Sequence, residues 1–337
     1  MQTDKPGRNV DLDIVKGVLV LVMLLYHCAS VSEDPSLKVI LRKIDFIHYA
    51  FLAITGLLCG YHYHSAALVK PIEVQLRLLI RAGKLFGLFC FANTIYFSLG
   101  YARPGVERLR TLPSIWAVFR DVILRPPGDL VAFEVLCIIA GFIFLAAILI
   151  RVRSISWLLA AVVMTPMVIP GVQILFIAMG CAGMLVGILA QKGCLAFQEP
   201  LLSKWLWIFP VLLVLRIGFV PSLCMWVLSN RARLFLLSLE VLLWFCSAIW
   251  IVKRFMSARI QSKVVLLGRY TLFCYMFQML CARFVHSIFG YTQLKSVYSY
   301  GISVIIVGMV TYLMTVAIDG IRKAWPSCDK AYRIVFQ

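Results

Sequence analysis

KGVLVLVMLLYHC, residues 16–28, is apolar enough to cross a bilayer, yet it opens on a cation, Lys16, and carries His27 next to its end. Ten uncharged residues separate the two. On a helix, eleven steps of about 100° return to within about 20° of the start and climb roughly 16 Å. Lys16 and His27 therefore share one helix face, about half a membrane apart. Hydrocarbon gives a helix no reason to spend a face on ionisable groups, which marks the pair as a candidate functional site.

The rest of the chain has the same apolar character. It has 337 residues, of which 62% are hydrophobic and 14% charged, and its mean hydropathy is +0.93. A soluble protein of this length needs many more charges to cover its surface. The apolar residues fall in long runs, not in the short alternating segments of an outer-membrane barrel. The expected fold is all-α: a polytopic integral membrane protein forming a single transmembrane domain over residues 1–337. The net charge of +18 does not point to nucleic acid, because the basic residues collect at the ends of apolar runs, where lipid head groups attract them. The eleven cysteines form no CxxC pair and no metal-ligand spacing, so they read as small buried hydrophobes and no metal is expected. Asp11 and Asp13 interrupt the basic segment before the first run, and no small-x-small cleavage site follows "YHCASVSED". The first run is expected to be a retained helix and not a cleaved signal.

About ten spans are expected, at roughly 12–31, 45–66, 78–99, 130–150, 154–170, 171–190, 204–228, 233–252, 264–287 and 298–320. A loop of about thirty residues, 100–129, separates the third and fourth. Within it, Pro113 to Leu124, with Arg120 and Asp121, fits a short amphipathic surface helix. With the N-terminus inside, twenty of the 33 lysines and arginines fall on the inner side. That bias places both termini, tails of about 1–11 and 321–337, in the cytoplasm. No internal repeat supports a repeat-built transporter.

Ionisable residues in or near the spans are the candidates for chemistry: Lys16, His27, Arg77, Arg81, Glu134, Arg216, Glu240, Arg283, His286 and Asp319. Lys16, Arg77 and Arg81 stand near helix ends, where they can also snorkel to head groups. Glu134 opens the fourth span and can face the helix dipole. His62 and His64 project from different faces of a helix and make a poor metal pair.

"NVDLDIVKGVLVLVMLLYHCASV" resembles the first helix of the integral-membrane acyltransferases called acyltransferase family 3, with their basic residue, ten residues, then histidine. Lys16 stands where arginine is commoner. "IDFIHYAFLAITGLLCGY" is similar to the family's "FFxxSG" helix, with Thr55-Gly56 for Ser-Gly. "LLGRYTLFCYMFQML" resembles its "LGRxSLxxYLxH" segment, with Gln278 in place of a frequent histidine. Arg77 and Arg81, four apart and not three, stand near the family's arginine pair.

The resemblance implies an acyltransferase in the cytoplasmic (inner) membrane. It would move an acyl group, acetyl first among the expectations, from acyl-CoA to a hydroxyl of a surface or exported carbohydrate or glycolipid. His27 would be the general base. Lys16 would face the donor's phosphates or thioester, and Arg77 and Arg81 would bind phosphate. Glu134, or Glu240, would orient the imidazole. Transfer directly or through an acyl-histidine stays open, as does self-association into a homo-oligomer. The rival readings are a transporter or flippase of an anionic or glycan substrate, using Arg216, Arg283, Glu134 and Glu240, and a non-catalytic assembly or sensor protein.

Overall fold

The computed structural model describes residues 10–30, 46–98, 134–150, 155–164, 172–192, 230–291 and 297–336, with the single residues 37, 152 and 211. Arg216, the expected seventh span and the loop 100–129 lie outside the described residues. So do the side chains of Glu134 and His286.

The described residues form helices and no strand. In chain order these are α1 (Val10–Ser30), α2 (Ile47–Val69), α3 (Pro71–Ser98), α4 (Glu134–Leu149), α5 (Ile155–Met164) and α6 (Val172–Gln191). They are followed by α7 (Asn230–Phe255), α8 (Ala258–Arg269), α9 (Thr271–Tyr291), α10 (Val297–Ala324) and α11 (Pro326–Phe336). Among them, Val10–Ser30 and Tyr298–Ala324 are long and apolar enough to cross a membrane, and the bent pair α8–α9 adds a third if it is one span. Val135–Leu149 and Leu175–Gln191 are shorter apolar helices.

Local chemistry sets several boundaries. Asp11 and Asp13 sit in the first turn of α1, where the helix dipole favours anions. Pro71 and Pro326 open α3 and α11 at the position where a missing N–H costs nothing. The expected span 264–287 is not one straight helix. It is cut at Tyr270, and the helices on either side meet at 86°. Tyr270 leaves helical geometry (φ −111°, ψ 25°), and its N–H donates to the carbonyls of Leu266 and Leu267. Thr271 Oγ1 then donates to the Gly268 carbonyl at 2.7 Å, satisfying a group that the break exposes. The tail after 321 is not featureless either, since it holds the amphipathic helix α11.

The chain divides into two compact units: Met1–Ile47 with Glu199–Val227 and Leu239–Ile334, and His48–Gln198 with Leu228–Ser238 and Val335–Gln337.

In the first unit α1 is the central element. Its start meets α8 backbone to backbone. A Cβ on Gly17 would lie 2.1 Å from the Val264 carbonyl oxygen, and one on Gly268 would lie 1.9 Å from that of Asp13. Ile14, Val252 and Val264 close this end in an apolar cluster. The last turns of α1 pack through Leu24 and Cys28 against Ala282, Val285 and Val307. So α9 runs alongside α1 in the same direction, away from the break at Tyr270. Tyr270 donates to Asp319 near the end of α10 at 2.8 Å, while Tyr300 near its start donates to the Leu25 carbonyl at 3.4 Å. Thus α10 runs opposite to α1, and the start of α1 and the end of α10 lie at the same end of this unit.

The second unit is built on a glycine contact between α2 and α6. Built Cβ atoms on Gly56, Gly60, Gly183 and Gly187 would lie 1.9–2.3 Å from carbonyl oxygens of the facing helix. This is small-residue packing of the membrane type, in which backbones touch directly. Tyr49 stacks on Phe176 at 4.5 Å along the same seam, and α3 packs against α4.

Candidate functional site

Val20 stands about 40° around α1 from Lys16 and about 20° from His27, so all three lie along one face. That face turns inward within the first unit. His27 is buried, with 3% of its surface exposed. Its ring lies 5.5 Å from that of Tyr275 on α9, tilted by 52°, and 6.0 Å from that of Tyr26, edge-on. The helix around it is held by its own last turn, where Ser30 Oγ donates to the His27 carbonyl at 2.9 Å. A buried imidazole between aromatic rings is kept from bulk water, and it offers two ring nitrogens for hydrogen bonding.

Lys16 lies about 16 Å below His27 by helix rise. It keeps 21% of its side-chain surface exposed, and its Nζ lies 2.6 Å from Asp13 Oδ1. Asp13 itself is almost fully buried. The cation at this position is thus steadied by a carboxylate one turn earlier, which sequence reasoning did not single out. The signal was legible: "LDIVKG" sets the acid three residues before the base, the spacing of neighbours on a helix. Gly17, directly after Lys16, and Gly268 allow α8 to come close enough to bury Asp13.

Between Lys16 and His27 lies Gln278 of α9, with 1% exposure. Its Nε2 donates to the Val20 carbonyl at 3.2 Å. Its Oε1 is buried and has no hydrogen-bond partner. The two ends of the amide are distinguished by the carbonyl they face, since only the NH2 end can donate to it.

Lys16 and His27 belong to the first unit, whereas Arg77, Arg81 and Glu134 belong to the second. Arg77 has 64% of its side chain exposed and pairs with Glu73 one turn earlier on α3. Arg81 is exposed on the same helix. Four residues apart, the two stand about 40° from each other and can meet one anion together. Glu134 is the first residue of α4. Glu240, on α7 in the first unit, is buried at 5% exposure.

At the break, a second polar cluster joins α9, α10 and α11. Arg322 donates through Nε and Nη2 to Asp329 Oδ1 at 2.8 and 2.6 Å, and through Nη1 to the Tyr270 hydroxyl at 3.0 Å. Its guanidinium lies 4.1 Å from the Tyr332 ring centre and 5.3 Å from that of Tyr270. Arg333 also pairs with Asp329, and Lys323 with Asp319. These two arginines hold the Asp329 carboxyl below its ordinary value, and burial pushes the Tyr332 phenol up.

Among the described residues no group of His, Cys, Asp and Glu could hold a metal ion. Comparison with protein-family models, with curated proteins and with solved structures finds no match for this chain.

Proposed function

We propose that the chain is a membrane-embedded O-acyltransferase that moves an acyl group, acetyl first among the candidates, from acyl-CoA to a hydroxyl of a surface or exported carbohydrate. The observation that carries this reading is the α1 face, with a buried imidazole at one level and a steadied ammonium about 16 Å below it. In the reaction His27 takes the proton of the attacking hydroxyl, the new C–O bond forms and the C–S bond breaks. The proton passes to the departing thiolate, so the thioester and alcohol become ester and thiol with no net proton change. Lys16 faces the donor's phosphates, with Asp13 limiting its movement. Glu240, buried in the same unit, is the carboxylate that would orient the imidazole.

The same reading places about ten spans in the inner membrane with both termini in the cytoplasm. It is supported by the end of the first unit where α1 starts and α10 finishes. Lys16, Lys253, Arg269, Arg322 and Lys323 all belong to helix ends that meet there, which is the cytoplasmic pattern.

The test is mass spectrometry of the surface glycans of a deletion strain carrying wild type or His27→Ala at equal membrane levels. The expected result is an O-acyl mass increment restored by wild type and absent with the variant. Full restoration by His27→Ala removes His27 from the chemistry. If no increment depends on the gene, the glycan reading falls, and transport assays come next.

A further inference from the structure

Gln278 Oε1, on α9 against α1, is a buried polar atom that the reaction above leaves unused. A buried amide oxygen without a donor costs free energy, and such an atom calls for an explanation that a ligand's donor can supply. Its place is specific. Gln278 is fixed through its NH2 end to the carbonyl of Val20. By helix rise, Val20 lies about 6 Å above Lys16 and about 10 Å below His27. A donor molecule with phosphate at Lys16 and thioester at His27 must pass this level. The chain joining those two groups in a CoA thioester is the pantetheine arm, which carries two amide groups along its length. Each has an N–H, and each is poorly solvated once inside an apolar helix seam. An acyl phosphate or a lipid-linked acyl chain offers no such donor between its ends.

We propose that Gln278 Oε1 accepts a hydrogen bond from an amide N–H of the acyl donor's pantetheine arm, making Gln278 a donor-binding residue that selects acyl-pantetheine thioesters. This rests on the acyltransferase reading and deepens it. The amide can do both tasks at once because its two ends are chemically different: the NH2 end ties α9 to α1, and the oxygen remains for the ligand. A methionine here could not reproduce that division, because it has no donor.

The test uses the full chain in lipid nanodiscs, with the glycan fraction that it acylates as acceptor. Thiol release is followed from acetyl-CoA and from two truncated donors. These are S-acetylpantetheine, which keeps both amide N–H groups, and its oxygen counterpart, in which each N–H is replaced by an ester oxygen. Wild type is expected to use the amide donor about tenfold more efficiently than the ester, the worth of one hydrogen bond to a buried acceptor. Gln278→Met, of similar length and without the acceptor, is expected to bring that ratio close to one. A wild-type ratio near one overturns the proposal without any variant. A tenfold ratio that survives Gln278→Met overturns the assignment to Gln278. Absence of thiol release from acetyl-CoA by wild type is a different failure, since it removes the acyltransferase reading itself.

Discussion

Gly268 on α8 and Asp13 on α1 are in backbone contact, so close that a Cβ on the glycine would lie 1.9 Å from the aspartate's carbonyl oxygen. Backbone on both sides leaves nothing that can rotate away. Gly268→Ala should therefore push α8 off α1, unbury Asp13 and lower both the amount of folded protein and its melting temperature. Gly17→Ala, 2.1 Å from the Val264 carbonyl oxygen, should act alike. Gly301→Ala is the control, because nothing lies within 4 Å of its built Cβ. It should be neutral or stabilising by up to about 1 kcal/mol through helix propensity. Thermal unfolding followed by size-exclusion of detergent-solubilised protein ranks the three. Equal behaviour of Gly268→Ala and Gly301→Ala would refute the close contact.

The Asp13–Lys16 pair joins a buried carboxylate to a partly exposed ammonium. Removing the cation leaves the anion's burial less compensated, so Lys16→Met should cost about 2 kcal/mol, discounted from a fully buried pair because Lys16 reaches water. Lys16→Arg keeps the charge and should cost little stability. Asp13→Asn combined with Lys16→Met should recover part of the loss, a coupling that a double-mutant cycle on thermal stability measures. Additive losses in the cycle would mean the two side chains do not sense each other.

The α1 face was legible from residue spacing alone, because an eleven-residue interval nearly closes three helical turns. The interval implies a shared face and says nothing of burial, and the structure adds that His27 is buried. The break at Tyr270 was not legible. The segment 264–287 is apolar enough to read as one span, and the bend is made by tertiary contacts that no local pattern displays: Gly268 against Asp13, and Tyr270 bonded to Asp319 and Arg322. Thr55-Gly56 was read for its place in a motif. The structure gives Gly56 a packing task, since its Cα faces the Gly180 backbone. The spacing of Gly56 and Gly60, and of Gly183 and Gly187, carried that signal as small residues four apart. Gln278 was visible only as a departure from the expected histidine. Its anchored amide depends on the Val20 carbonyl, and a backbone acceptor leaves no mark in the sequence.

The glycine seam of the second unit makes its own prediction. A Cβ on Gly183 would stand 2.0 Å from the Ala53 carbonyl oxygen, and one on Gly56 1.9 Å from that of Gly180. Gly56→Leu or Gly183→Leu should separate α2 from α6, sharply reducing folded protein in the membrane. Gly83→Ala and Gly87→Ala on α3, with open space around both positions, should not. Cysteine pairs across the seam would report the same contact: crosslinking between positions 65 and 191, where Gln191 Nε2 donates to Ser65 Oγ at 2.6 Å, should form readily in a cysteine-free background and fail in Gly56→Leu.

The clasp of α11 should be sensitive to acid. Asp329 accepts from Arg322 and Arg333, and both lower its pKa from the ordinary 3.8. A carboxylate with a depressed folded value adds stability that is fully present above the unfolded value. That stability is lost as pH falls through the lower, folded value. Protonation there weakens two charge-assisted bonds from Arg322 and one from Arg333, so α11 should loosen before the other helices of the first unit do. Hydrogen exchange of the α11 amides should be slow and nearly constant from pH 7 to above 4, after correction for intrinsic rates, and should rise below that. In Arg322→Gln the midpoint should move up toward 3.8, and protection at pH 7 should already be reduced. Asp329→Asn should abolish the pH step altogether and leave α11 equally loose at both ends of the range. A step that persists in Asp329→Asn would assign the acid sensitivity to another group and leave Asp329 without the role that its two arginines give it.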